Sequence, residues 1–265
     1  MTSSLRLAIN GASGRMGREL QQQVREDGRF ELSHAVVASG SQHDGALMPG
    51  TSLHYVHGWS EAPALDVVVD FSGPEGLAAA LDHCLEHRVA LVTGTTGLDA
   101  ELAGRLAAAA GHIPLLRAAN FSLGVAVLGR LLRQASAALR DWDLEIVEAH
   151  HGRKEDAPSG TALALGEVAA AARGTTLERD AVYAREGRTG ARRHGEIGFA
   201  VVRGGDIVGE HQALLIGQGE RVELAHRATD RSIFARGALE AAHWLAGKPA
   251  GAYDLDAMLS ERAAG

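Results

Sequence analysis

The chain has a single cysteine, Cys84, so it can form neither an intramolecular disulfide nor a cysteine metal cluster. Cys84 falls inside the apolar pattern Leu77 to Leu85 and reads as a buried structural thiol. No apolar run is long enough to span a membrane, and the opening Met1-Thr2-Ser3-Ser4-Leu5-Arg6 leads into a strand without an apolar leader core. The expected location is therefore cytoplasmic. Positive charge is not in excess either: 26 Lys+Arg against 33 Asp+Glu leave a net charge of -7. That balance argues against non-specific nucleic-acid binding while leaving room for a local basic pocket. No internal repeat is visible, and no trio of histidines has the spacing of a metal site, so no metal is expected. What the chain does have is apolar material, 46% of 265 residues, enough for one large domain or two modest ones.

Hydrophobic periodicity organises the first part into alternating elements. Leu5 to Asn10, Phe30 to Ala38, Val67 to Phe71, Val89 to Thr93 and Ile113 to Arg117 read as strands. Arg18 to Val24, Glu75 to His87 and Asp99 to Ala110 read as helices. The alternation predicts a doubly wound parallel sheet with right-handed crossovers. After Asn120 the pattern changes to a long helix, Leu123 to Leu139, then a strand from Leu144 toward His150 and a helix from Gly160 to Ala172. Strand-like runs follow at Gly195 to Val202, Asp206 to Ile216 and Arg221 to Ala228, and a last helix spans Ser232 to Leu245. Gly204-Gly205 and Gly217-Gln218-Gly219 suit hairpin turns. The expected fold class is α/β: a Rossmann-like parallel sheet, then an α+β domain with an open mixed or antiparallel sheet. By periodicity alone, the last helix could pack on either domain.

Gly11-Ala12-Ser13-Gly14-Arg15-Met16-Gly17 follows a strand and opens a helix, the context that a dinucleotide loop requires. Its spacing is G-x-x-G-x-x-G rather than G-x-G-x-x-G, and a purely structural glycine turn is the competing reading. About twenty residues on, a carboxylate normally receives the ribose 2′-hydroxyl. Here the region reads Val36-Val37-Ala38-Ser39-Gly40-Ser41, with no acid. With Arg15 in the glycine loop and hydroxyls at Ser39 and Ser41, a 2′-phosphate meets less repulsion than usual, which points to NADPH. The bland alternative makes Ser39 to Gly50 a flexible surface loop that touches nothing. Two further strand ends, at Gly94, Thr95 and Thr96 and at Ala118, Ala119, Asn120 and Phe121, are placed to line the nicotinamide half. Either could equally be ordinary turn chemistry.

The densest chemistry lies between Glu148 and Thr161: Glu148-Ala149-His150-His151-Gly152-Arg153-Lys154-Glu155-Asp156-Ala157-Pro158-Ser159-Gly160-Thr161. A strand-to-helix junction is where α/β proteins commonly hold ligands. His150 and Lys154 can supply protons near neutral pH, and the amides of Ser159, Gly160 and Thr161 stand at a helix N-terminus suited to an anion. The alternative is a basic surface loop followed by a capped helix. His34, His43, His54, His57, His83, His87 and His112 occur singly and read as packed or solvated side chains.

Taken in order with Arg185-Glu186-Gly187-Arg188-Thr189-Gly190 and Gly204-Gly205-Asp206-Ile207-Val208-Gly209-Glu210-His211, these motifs resemble the 4-hydroxy-tetrahydrodipicolinate reductase family, formerly dihydrodipicolinate reductases, over nearly the whole chain. The resemblance implies reduction of 4-hydroxy-tetrahydrodipicolinate by NADPH or NADH in the diaminopimelate route to lysine. It implies a homotetramer built on the second domain's sheet, and domains of 1–121 plus a returning 232–265, and of 122–231. By position it implies His150 as general acid/base, Lys154 as its proton-donating partner, and His151, Gly160 and Thr161 as substrate contacts. Gly11, Ala12, Ser13, Gly14, Arg15, Met16, Gly94, Thr95, Thr96, Ala118, Ala119, Asn120 and Phe121 match the cofactor loops. Val37-Ala38 departs from the family pattern, in which many members carry an acid followed by arginine. Another two-domain dehydrogenase of amino-acid metabolism, or a non-catalytic NADPH-sensing regulator, would share the glycine loop but would not need His150, His151 and Lys154 beside Ser-Gly-Thr.

Overall fold

A computed structural model describes residues 4–264; Met1–Ser3, part of the stretch read as leading straight into a strand, lie outside the described residues. In chain order the elements are β1 Leu5–Asn10, α1 Arg15–Glu26, β2 Phe30–Val36, β3 Val67–Asp70, α2 Pro74–His87, β4 Ala90–Thr93, α3 Ala100–Ala109 and β5 Pro114–Arg117. Then come α4 Leu123–Ala138, β6 Asp143–His150, α5 Gly160–Ala172, α6 Leu177–Asp180, β7 Ala181–Val182, β8 Ile197–Arg203, β9 Gly209–Ile216, β10 Arg221–Ala228, α7 Ser232–Leu245, β11 Gly251–Tyr253 and α8 Leu255–Ala264. They form two compact units, one running to Ser122 and resuming at Ser232, the other Leu123–Arg231. No described helix is long and apolar enough to cross a membrane.

In the first unit every residue of β3 (VVVD) and β4 (ALVT) is buried, as expected of strands covered on both faces. The sheet order is β11-β5-β4-β3-β1-β2 and every pairing is parallel. One face packs Ala8, Val68, Leu91 and Leu115 against Leu77, Leu81 and Cys84 of α2 and Leu106 of α3. Burial pushes the Cys84 thiol well above its ordinary range, consistent with an inert packing role. The other face packs on α1 and α7. Close approach of α7 to the loop after β5 depends on Gly237, since a Cβ at that position would collide with the Phe121 carbonyl oxygen. Pairing of β11 with β5 adds the last part of the chain to this sheet. Three residues are too few to show a period, which is why periodicity does not reveal β11.

The segment after β2 is not a loose loop. Val36 bridges Val56, Leu47 bridges His54, Met48 is fully buried, and the Tyr55 hydroxyl donates to Gln21 Oε1 of α1 at 3.1 Å. Two of the histidines read as ordinary are buried, His34 and His83, and they flank Trp59, with His83 stacked on the indole at 4.7 Å.

The second unit holds a mixed sheet ordered β10-β9-β6-β8-β7, in which β6 runs parallel to β8 and antiparallel to β9. The hairpin expected at Gly217–Gly219 joins β9 to β10, with Ile216 opposite Arg221. The one expected at Gly204–Gly205 does not form: β6 lies between β8 and β9, so that turn crosses over a central strand. Central β6 alternates cleanly, with Leu144 and Ile146 facing the α4/α5 side and packing on Leu128, Leu132, Leu165 and Ala169. The same phase continues into Glu148 and His150.

At the C-terminal edge of the first sheet, Asp70 has no solvent exposure and ties three strands together. Its carboxylate accepts from Asn10 Nδ2 (2.8 Å) on β1, Thr93 Oγ1 (2.6 Å) on β4, Thr95 Oγ1 (2.7 Å) and Ser72 Oγ (2.5 Å). Removing one acceptor would leave several buried donors unmatched. Asp70→Ala is expected to lower the local stability of this edge by about 2–4 kcal/mol. Hydrogen exchange of the β1 and β3 amides reads this directly, and unchanged protection would show the network to be incidental.

Candidate active site

The glycine turn in the first unit has distinct physical reasons at its three glycines. Gly11 sits at φ +79°, and a Cβ there would stand 2.5 Å from the Phe71 carbonyl oxygen, so only glycine fits between the ends of β1 and β3. At Gly17 a Cβ would collide with the Gly11 and Ala12 carbonyls, so this glycine lets α1 settle on the turn. Gly14 is the N-cap of α1, is extended, and supplies no side-chain cap; a Cβ there meets only the Gly11 oxygen, at 3.1 Å, and otherwise open space. The first turn of α1 holds no acidic residue, and Arg15 is exposed. Uncapped amides at a helix N-terminus, room where a side chain would stand, and no local negative charge together fit a pyrophosphate.

The other expected cofactor loops leave neighbouring strand ends. Gly94 N–H donates to the Asp70 carbonyl (2.9 Å) and Ala118 N–H to the Thr93 carbonyl (3.2 Å), anchoring both to the sheet edge. Ala12, Thr95 and Phe121 are buried, with the Thr95 hydroxyl committed to Asp70 and the Phe121 ring edge-on to Phe71 at 5.3 Å. Contacts from these three would therefore run through main-chain atoms. Ser13, Met16, Thr96, Ala119 and Asn120 keep some exposure. Past β2, Val37 is buried and its N–H donates to the Val56 carbonyl (2.9 Å), whereas Ala38 is exposed. Position 38, not 37, is thus the first that presents a side chain to solvent.

In the second unit the stripe Leu144, Ile146, Glu148, His150 turns from apolar to ionisable at the end of β6. The Glu148 side chain has no exposure. It accepts from Arg203 through both guanidinium ends (2.6 and 2.7 Å), from the Ser159 N–H (3.0 Å) and from His150 Nδ1 (2.7 Å). Burial alone would push its carboxyl up; the hydrogen bonds from Arg203, His150 and Ser159 outweigh that and hold it below the usual carboxylate range. Arg203 lies directly across from His150 in the β6–β8 register, and His211 across from Glu148 in the β6–β9 register. His211 Nε2 is 3.0 Å from Ser159 Oγ, and its ring meets that of His150 edge-on at 5.2 Å. Burial, then the neighbouring His150, pushes His211 down to about 4, so it is neutral at physiological pH.

The loop between β6 and α5 carries the remaining groups. It is pinned where Gly204 N–H donates to the His150 carbonyl (3.0 Å). Lys154 Nζ pairs with the exposed Asp156 carboxylate at 2.8 Å, a contact of the kind that contributes little in water and is readily exchanged for a ligand carboxylate. Burial, with the positive charges of Arg231, Arg153 and Lys154, pushes His151 down, and its Nδ1 is buried without a partner. Ser159 caps α5 by accepting from the Ala162 N–H (3.2 Å), leaving Gly160 exposed at the first turn. The expected group His150, His151, Lys154, Gly160 and Thr161 thus lies on one loop and helix start. Sequence reasoning did not single out Glu148, Arg203 or His211 as site residues. The signal for Glu148 was its place in the inward phase of an otherwise apolar strand.

A Rossmann-like parallel sheet followed by a mixed-sheet unit with a loop of ionisable side chains is the architecture of a class, the two-unit NAD(P)-dependent oxidoreductases. Residues 5–121 match the family described as dihydrodipicolinate reductase, N-terminus, and residues 124–259 its C-terminus. The 4-hydroxy-tetrahydrodipicolinate reductase of Caulobacter vibrioides is 46% identical over 267 residues, covering 98% of each chain. The chain belongs to the dihydrodipicolinate reductase family. In fold it is similar to a dipicolinate-bound dihydrodipicolinate reductase from a Paenisporosarcina species, with a TM-score of 0.78 at 23% identity over 95% of this chain and 97% of that one. It is more distantly similar to an amine dehydrogenase from Mycobacterium smegmatis, with a TM-score of 0.55 at 13% identity over 96% of each chain.

The open space at Gly14 yields a direct test of the cofactor site. Aspartate is a good N-cap, so Gly14→Asp should preserve α1 while placing a carboxylate where a pyrophosphate at this turn would stand. Fluorescence titration with NADPH should show binding weakened about ten-fold or more, with an unchanged circular dichroism spectrum. Undiminished affinity would place the pyrophosphate elsewhere.

Proposed function

We propose that the protein reduces 4-hydroxy-tetrahydrodipicolinate to tetrahydrodipicolinate, taking up a hydride and a proton and releasing water, in the diaminopimelate route of lysine biosynthesis in the cytoplasm. The observation that carries this reading is the coexistence, in a chain 46% identical to a reductase of that name, of an uncapped glycine-turn helix and the His150–Lys154–Ser159 loop. Bound at the glycine turn and at the loops after β4 and β5, the reduced nicotinamide supplies the hydride. Everything else falls to side chains and amides of this chain. The first-turn amides of α5 at Gly160 and Thr161 receive one substrate carboxylate, and Lys154, released from Asp156, receives the other together with His151. Charge that develops as hydride adds to the conjugated imine is stabilised by Lys154 and an imidazolium at His150, which then delivers the proton. His151, held neutral, offers a hydrogen bond without adding to the positive charge that Arg153 and Lys154 already place on the loop.

NADPH is proposed as the preferred cofactor, with NADH usable. Position 38 is a small, uncharged alanine, position 37 is turned into the core, and Arg15, Ser39 and Ser41 offer positive charge or hydroxyls near the glycine turn. A 2′-phosphate therefore meets donors and no carboxylate. Assembly as a homotetramer is proposed through the face of the second sheet opposite α4 and α5, where Val147, Val202, Leu214 and Ile216 are partly exposed.

Consumption of NADPH at 340 nm, with substrate generated in situ from pyruvate and aspartate semialdehyde, tests the activity. His150→Gln and Lys154→Ala should each lower kcat by about two orders of magnitude while NADPH affinity is retained, the scale of a lost proton donor. Near-normal turnover in either variant would remove that residue from the proposed role.

Cofactor choice is tested at the exposed position. Ala38→Glu should shift the ratio of kcat/KM for NADPH over NADH toward NADH by about ten-fold, through repulsion of the 2′-phosphate and a new partner for the ribose diol. A wild-type enzyme that strongly favours NADH, or a variant with unchanged selectivity, would show that other residues read the ribose.

A further inference from the structure

We infer that Glu148 and Arg203 act as a charge-balanced clamp that keeps the Nδ1 proton of His150 engaged, so that Nε2 is the nitrogen that exchanges a proton with substrate. The inference rests on the acid/base role proposed for His150. An ionised carboxylate only accepts hydrogen bonds, so a His150 Nδ1 standing 2.7 Å from Glu148 must carry hydrogen; the tautomer is assigned from the partner. The unexposed Glu148 charge is in turn balanced by Arg203, whose two guanidinium ends reach both carboxylate oxygens, while the Ser159 N–H supplies a further donor.

The balance matters as much as the orientation. A carboxylate without Arg203 would hold His150 as imidazolium and oppose release of its proton. An arginine without Glu148 would oppose its formation. The other groups around the ring leave these two in control. His211, across the sheet on β9, is neutral at physiological pH. On the loop, Lys154 is paired with Asp156, His151 is held neutral, and Ser159 bonds to Glu148 and His211. On the far edge of the ring, position 209 is glycine: a Cβ there would stand 3.0 Å from His150 Nε2, so a side chain at 209 would crowd the acting nitrogen.

Two variants should move the titration of His150 in opposite directions. Glu148→Gln removes the negative charge and leaves Arg203 uncompensated, so the His150 limb of the kcat/KM profile should fall by about one pH unit. Arg203→Met leaves the carboxylate uncompensated, so the same limb should rise. Glu148→Gln should also lower kcat/KM at neutral pH by about 10–100-fold, the scale for loss of an orienting partner, with NADPH affinity within two-fold of wild type. Nitrogen-15 NMR of the imidazoles provides a readout that needs no turnover. Neutral His150 should carry its proton on Nδ1 in wild type and in Arg203→Met, and should lose that fixed tautomer in Glu148→Gln. Should Glu148→Gln not fold, Arg203→Met and the wild-type spectrum decide alone. A neutral wild-type His150 protonated on Nε2, shifts of the same sign in the two variants, or a limb in Arg203→Met that does not rise would each overturn the clamp. Because the tautomer is read without substrate, failure of the clamp is distinguishable from failure of the assigned reaction.

Discussion

An ionised carboxylate with no contact with water cannot stand alone, and much of the second unit's chemistry is arranged around that constraint at Glu148. Its partners come from three separate places: Arg203 at the end of β8, the Ser159 amide at the start of α5 and the His150 ring two residues on along β6. Satisfying one buried charge therefore sets where the loop after β6 leaves the sheet, where it returns into a helix and how the imidazole is turned. Ion pairs of this kind are poor sources of net stability, because desolvation offsets most of the attraction. Their consequence is orientation: removing Arg203 would leave an uncompensated charge, and removing Ser159 or His150 an unmatched hydrogen bond, so the geometry has few alternatives.

The first unit uses the same physics with different partners. Asp70, equally without exposure, gathers neutral donors from Asn10, Ser72, Thr93 and Thr95 at the edge from which the glycine turn and the loop after β4 depart. Backbone crowding completes the arrangement, since Gly11 and Gly17 lie where a Cβ would strike carbonyl groups. The amides at the start of α1 remain unused by side-chain caps, and a ligand can take them without displacing a protein contact. Around Asp70 the glycine loop, the loop after β4 and the end of β3 are tied into one edge by hydrogen bonds, an arrangement suited to a cofactor site whose specificity would rest on backbone donors.

Periodicity was sufficient for the parallel strands of the first sheet because strands buried on both faces read as short continuous apolar runs, and VVVD and ALVT are such runs. It was sufficient to place the loop proposed to be catalytic, because histidines, a lysine and Pro-Ser-Gly-Thr fall within one short stretch between a strand and a helix. It was insufficient wherever the deciding neighbour lay far along the chain. Gly204–Gly205 has the composition of a hairpin turn, yet β6, laid down more than fifty residues earlier, takes the place between β8 and β9. Val37 has the position of a ribose-reading residue, yet the fold-back through Val56 turns it into the core.

What the sequence by itself determined was the kind of each element and the identity of the candidate groups: the glycine turn, His150, His151, Lys154 and the helix start at Gly160. These are local properties, written in spacing, in turn residues and in side-chain type. What only the tertiary structure decided was which charges stand together. Arg203 and His211 face Glu148 and His150 because of strand register, and register depends on which strand is central and how its buried face is matched by α4 and α5. A side chain's partners depend on the whole sheet, whereas its chemistry belongs to the residue alone.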